Sequence, residues 1–239
     1  MLVTDISPAL LEQVQEAFQL RVSADPVILS FGRKLGQGTA TQQDVQLYAS
    51  QLGAILGEVL GEVLALENLP DGRLYWNIAE KVILPTLEEN FRLVFNAASD
   101  VQRAIDAAEQ IGLIPIAPET PRDRMKGICD SVTVDGLTAE EVRERLREPV
   151  RNITAHYHDD FIKANAEFRE KAGMSPKIIR IPHNGACAWC KALGGTYDYD
   201  DVSNAGNDVF RRHENCRCFL SFRNSKKIAN VWKNQRRRG

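Results

Sequence analysis

No apolar run in the 239 residues is long enough to cross a bilayer, and the first residues lack the basic-then-apolar pattern of a secretory signal. The expectation is a chain made and folded in a reducing cytoplasm, with no membrane partner. Aromatic residues make up only 7% of the chain, few for a surface built to stack on bases. The glycine-rich stretch from Phe31 to Thr39 fits neither G-x-x-x-x-G-K-[ST] nor G-x-G-x-x-G, so it reads as a connector and not as a phosphate loop. No serine–histidine–acid set and no paired carboxylates at catalytic spacing can be assigned, and the expectation is that the chain is not an enzyme. Cysteine is also scarce, five in all. An odd count without a secretory signal argues against a disulfide framework.

What cysteine there is lies close together. Four of the five cysteines fall between Cys187 and Cys218, as Cys187-Ala-Trp-Cys190 and, after a polar insert, His213-Glu-Asn-Cys216-Arg-Cys218. A C-x-x-C turn aims two thiolates at one ion, and a second cluster beyond a loop supplies the rest, the layout of a tetrahedral structural zinc site. Five donors compete for four places: Cys187, Cys190 and His213, with Cys216 or Cys218 completing the set. The last two stand two residues apart and point the same way if extended, so the sequence leaves that choice open. One structural Zn2+ is expected. A deaminase would need H-x-E before P-C-x-x-C; here the order is reversed and no proline precedes Cys187. Cys129 stands apart from the cluster and reads as a small buried hydrophobe.

The net charge of −2 conceals a division. Residues 1–120 hold 7 basic and 16 acidic side chains, and residues 121–239 hold 23 and 16. The segment 224–239 is basic without one acid. Its Lys226, Lys227, Lys233, Arg236, Arg237 and Arg238, with Trp232, form a candidate contact to nucleic-acid phosphates and a base.

Helical signals dominate the first two thirds. Ser7-Pro8 starts an amphipathic helix ended by Asp25-Pro26. Thr41 with Asp44 caps a long helix running to about Glu67. Within it Gly53, Gly57 and Gly61 recur every fourth residue, the mark of a close helix–helix seam, expected to be intramolecular. A second long helix is expected from about Leu74 to Ala97, kinked or divided at Pro85, then a shorter one capped by Ser99. Three prolines between Leu113 and Arg122 indicate an extended connector or hinge. Thr138 to Glu141 forms a capping box for a helix reaching about Ala172 and interrupted at Pro149. On it His156 and His158, two apart, point away from each other and read as exposed or half-buried. Lys177–Pro182, Thr196–Tyr199 and Phe219–Arg223 read as strands. The fold class is α+β: a mostly helical amino-terminal region over 1–112, a connector over 113–137, a zinc-stapled, β-containing module over 138–223 and a basic tail over 224–239.

The runs Lys171 to Arg180, Cys187 to Tyr197 and Asp208 to Cys218 resemble the Mu F-like head-morphogenesis proteins, minor head proteins of tailed bacteriophages that share the C-x-x-C and H-x-N-C-R-C signature. The resemblance covers about the last third of the chain. It implies a structural minor capsid protein in the virion, at the portal vertex or head interior, with the portal or major capsid protein as partner and packaged DNA as a further contact. A zinc-containing nuclease and a zinc-ribbon nucleic-acid-binding protein are the alternatives.

Overall fold

The helix α3 (Gln42–Val63) is the centre around which the other helices gather. The computed structural model describes residues 5–203, 208–213 and 216–225. Helices α1 (Ser7–Ala24) and α2 (Pro26–Gly36) precede α3, and α4 (Trp76–Ala108), α5 (Arg122–Val132) and α6 (Ala139–Lys171) follow. Three of these starts are set by side chains that satisfy orphan amides: Asp25 accepts from the Val27 and Ile28 amides at α2, and α3 and α6 open with capping boxes. At α3 the Thr41 hydroxyl accepts from the Asp44 amide at 3.3 Å, and the Asp44 carboxylate accepts from the Thr41 amide at 2.9 Å. Thr138 and Glu141 repeat the arrangement at α6, at 3.3 and 2.8 Å.

The seam between α3 and α6 is where the glycine period acts. A Cβ on Gly53 would lie 2.8 Å from Arg151 Cα, and one on Gly57 would lie 2.8 Å from the Arg147 carbonyl oxygen. At Gly61 the nearest atom is Arg143 Cγ, at 3.0 Å. The partner is therefore α6 of the same chain, as the sequence spacing suggests. Alanine at position 57 gains about 1 kcal/mol in helix propensity, against an overpacking cost of about 1–3 kcal/mol. Because the obstacle is backbone, the cost wins: Gly57→Ala should lower the urea midpoint. Gly32, in α2, has nothing within 4 Å of a built Cβ, so Gly32→Ala should raise it. Equal midpoints for Gly57→Ala and the parent chain would dissolve the seam argument.

Several boundaries differ from the sequence reading, each for a packing reason. The glycine-rich stretch at 31–39 is largely helix α2, held because Phe31 is buried and stacks on Tyr48 at 4.6 Å. The helices expected on either side of Ser99 are one helix, α4, with Ser99 buried in its interior. Pro85 and Pro149 sit inside continuous helices. Each removes a backbone donor, but buried Val82, Ile83 and Leu87 around the first, and Leu146, Val150 and Ile153 around the second, keep both flanks in the core. Part of the connector is helix α5, burying Met125, Ile128, Cys129 and Val132. The extended part is pinned: Asn165 on α6 accepts the Ile116 amide at 2.9 Å and donates to its carbonyl at 3.0 Å.

Helix α6 joins the helical core to a small sheet. Its stretch up to Tyr157 contributes Val142, Leu146, Val150 and Tyr157 to the main core. Its last turns bring Ala166 against Ile178, Tyr199, Val202 and Leu220. The sheet is antiparallel, β1 (Pro176–Ile181) lying between β2 (Gly195–Asp198) and β3 (Phe219–Asn224), with Ile178 opposite Tyr197 and Phe222. Two short helices, α7 (Ala188–Ala192) and α8 (Tyr199–Val202), complete the described elements. The result is a mostly helical α+β fold.

A polar chain runs through the interface between these parts. His158, read as exposed or half-buried, is fully buried, and its Nε2 donates to Gln42 Oε1 at 3.0 Å. Gln42 donates to Gln102 at 3.0 Å, Gln102 to Asp106 at 2.9 Å, and Asp106 pairs with buried Arg169. Arg169 in turn lies 4.8 Å over the Phe222 ring of β3. Burial lowers the His158 pKa to about 4, so the imidazole is neutral at physiological pH.

Candidate metal centre

Strand β1 ends at Ile181, and the chain turns back through a bond from the Ala186 amide to the His183 carbonyl at 3.0 Å. That turn delivers Cys187 to the start of α7, where its sulfur accepts from the Cys190 amide at 3.5 Å. One turn of helix then brings Cys190 round beside it. From the other side, the Cys216 amide donates to the His213 carbonyl at 3.2 Å, a second tight turn. Cys218 follows at the threshold of β3.

The two clusters meet. Cys190 Sγ lies 3.0 Å from His213 Nε2 and 3.6 Å from Cys216 Sγ, and Cys187 Sγ lies 3.3 Å from His213 Nε2. Zn–S bonds of about 2.3 Å and Zn–N bonds of about 2.0–2.1 Å imply donor separations of about 3.6–3.8 Å around a tetrahedron. The donors stand at that scale or slightly inside it. They form two triads within 4.8 Å, Cys187–Cys190–His213 and Cys190–Cys216–Cys218, sharing Cys190. All five sequence-derived donors thus converge, and none of the cysteines is in a disulfide. Cys129 is buried in the helical core, away from them. The donor set of thiols and one imidazole fits zinc, which it would hold with soft sulfur and borderline nitrogen. In the protein without an ion, burial pushes the Cys190 thiol up to about 12, while the Cys190 amide holds Cys187 below the ordinary thiol value. Ligation requires that the Cys190 proton leave.

Residues that the sequence reading did not single out hold this centre in place. Arg180 of β1 is 1% exposed and donates to the Arg211 carbonyl at 2.8 Å and toward Cys190 and Cys216 sulfurs at 3.7 and 3.8 Å. Arg212 forms a bidentate pair with Asp159 of α6, one bond at 2.8 Å, and donates to the Cys216 carbonyl at 3.2 Å. Gln46 of α3 donates to the Cys218 carbonyl and accepts from the Leu220 amide at 3.2 Å. Helices α3 and α6 therefore each hold the backbone around the donors. A signal for Arg180 was present in the strand: alternation puts it in phase with Pro176 and Ile178, on the buried face. Trp189, 37% exposed, makes an edge contact with His213 at 5.7 Å and lies 5.5 Å from the Arg180 guanidinium. The basic tail from Lys226 to Arg238, Trp232 included, lies outside the described residues.

A helical body with a small antiparallel sheet and a cysteine–histidine centre between two turns defines the class of molecule. The family model of the VG15 protein matches residues 95–234, more than half of the chain. The chain belongs to that family, a phage protein family. Comparison with curated proteins and with solved structures finds no match. The matched span holds every donor, both arginines and Asp159; it starts within α4, so α3 and its glycines lie outside it. Among the described residues no helix is long and apolar enough to cross a membrane.

Proposed function

We propose that this phage protein is a structural minor head protein of the Mu F-like kind, without enzymatic activity, whose carboxy-terminal module is stapled by one zinc ion. The observation that carries the reading is the closure of the centre. Catalytic zinc keeps three protein ligands and an open position, whereas this site brings five donors together for four places. Three of the four cysteines are buried, and two arginines cover the sulfurs. Such a site fixes a surface and does not turn over substrate.

On this reading the module, clamped to α3 and α6, presents a rigid face to the portal or the major capsid protein in the virion. The segment beyond Asn224 contacts packaged DNA through charge, without reading sequence. Particles carrying a chain truncated after Asn224 should retain the protein, while the purified truncated chain loses its salt-sensitive retention on DNA. Absence of the full chain from purified particles overturns the head assignment. Metal-dependent DNA cleavage that disappears in His213→Ala favours the nuclease instead.

A further inference from the structure

We infer that Cys216, and not Cys218, completes the centre with Cys187, Cys190 and His213, and that Arg180 is the cation that balances its charge. This rests on the zinc reading above and decides what the sequence leaves open. Two independent features of the geometry support it.

The first is the pair of turns. Cys187 and Cys190 sit three residues apart at the two ends of one turn, with the Cys190 amide on the Cys187 sulfur at 3.5 Å. His213 and Cys216 have the same separation and are closed by the Cys216 amide on the His213 carbonyl at 3.2 Å. Two turns of equal span, each with a donor at both ends, present four atoms from two sides. Cys218 lies past the second turn; its sulfur stands within 4.8 Å of those of Cys190 and Cys216, but its carbonyl is engaged by Gln46 in holding β3 to α3.

The second is charge. A guanidinium is protonated at every accessible pH, and a buried cation with no counter-charge is strongly unfavourable. Arg212 has Asp159. Arg180, equally buried, reaches backbone carbonyls of Val209 and Arg211 and two sulfurs, with no carboxylate among its described partners. The sulfurs are those of Cys190 and Cys216. Zinc with three thiolates and a neutral imidazole carries one net negative charge, which one guanidinium cancels. The charge of Arg180 also reaches Cys218, but its described hydrogen bonds to sulfur go to Cys190 and Cys216.

The test uses the full chain loaded with zinc or, for spectroscopy, with cadmium. In the unmutated cadmium form, scalar couplings should run from the metal to the Hβ protons of Cys187, Cys190 and Cys216 and not to those of Cys218. Cys216→Ser should lose zinc against a chelating dye, and Cys218→Ser should keep one ion with an affinity within a few-fold of the parent. Arg180→Gln should weaken zinc about 10–100-fold, as loss of an outer-shell partner does, and move zinc release on acidification to higher pH; Arg180→Lys should restore much of both. Coupling to Cys218, or zinc lost in Cys218→Ser and kept in Cys216→Ser, overturns the ligand assignment. Unchanged affinity in Arg180→Gln overturns the counter-cation. A parent chain that binds no zinc at all fails the reading beneath, a result distinct from either.

Discussion

Removing the metal, or replacing Cys190 with serine, is expected to release residues 183–193, 208–213 and 216–218 from their fixed arrangement while the helical signal of α1 to α6 survives. Structural zinc contributes about 10–16 kcal/mol of apparent binding energy in small modules. Apolar burial there is slight: the buried cluster at the centre consists of Ala186, Cys190, Cys216 and Cys218. The main helical core draws on none of these residues. Hydrogen exchange should therefore show lost protection confined to the two turns and their flanks, and elemental analysis should show one zinc per parent chain. Unchanged exchange in the metal-free protein defeats the structural role. Cys129→Ala serves as the control and should leave metal content unaltered, since that thiol lies in the helical core with its pKa pushed up to about 12 by burial.

The second large effect is expected at the joint. Asp159→Ala leaves the Arg212 guanidinium buried without its carboxylate, and breaking a buried pair from one side costs about 3–5 kcal/mol. Both side chains are nearly inaccessible, at 2% and 3%, so solvent does little to soften the loss. The same pair makes stability depend on acid. Burial alone would raise the Asp159 carboxyl, but the charge and hydrogen bonds of Arg212 outweigh it and hold the group below the usual aspartate value. A depressed folded pKa gives stability that is complete above the unfolded value of about 3.9 and is lost as pH falls toward the folded one. Urea titrations at pH 7 and pH 3 should show Asp159→Asn narrowing the difference between the two. A difference as large as that of the parent chain would assign the acid sensitivity to other groups.

Much of the fold was legible in local chemistry. The capping boxes at Thr41 and Thr138 mark helix starts to the residue, and the three strands fall within a residue or two of their expected ends. The glycine period foretold a seam because only close backbones need it. Breakers misled where tertiary packing outweighed propensity: Gly32 and Gly36 suggested a connector, yet Phe31 anchors a helix there. Pro85 suggested a kink or division and Pro149 an interruption, yet each lies inside one helix with buried flanks. The donors could be read from spacing, since C-x-x-C acts locally. Their supports could not, because Asp159 with Arg212 and Gln46 with Cys218 are joined only by the folded chain.

The glycine seam also bears on how the chain is made. Gly57 meets the backbone of Arg147, ninety residues later in the sequence. At about 5–20 residues per second of synthesis, α3 waits roughly 5–20 seconds on the ribosome for the helix that covers it. Until then Leu52, Leu56 and Leu60 belong to a core that lacks one wall. Closing so wide a loop is slow, and the cysteine turns follow still later. The nascent chain therefore reaches its final form from the middle outward, with the interval before α6 emerges as its period of greatest exposure to aggregation.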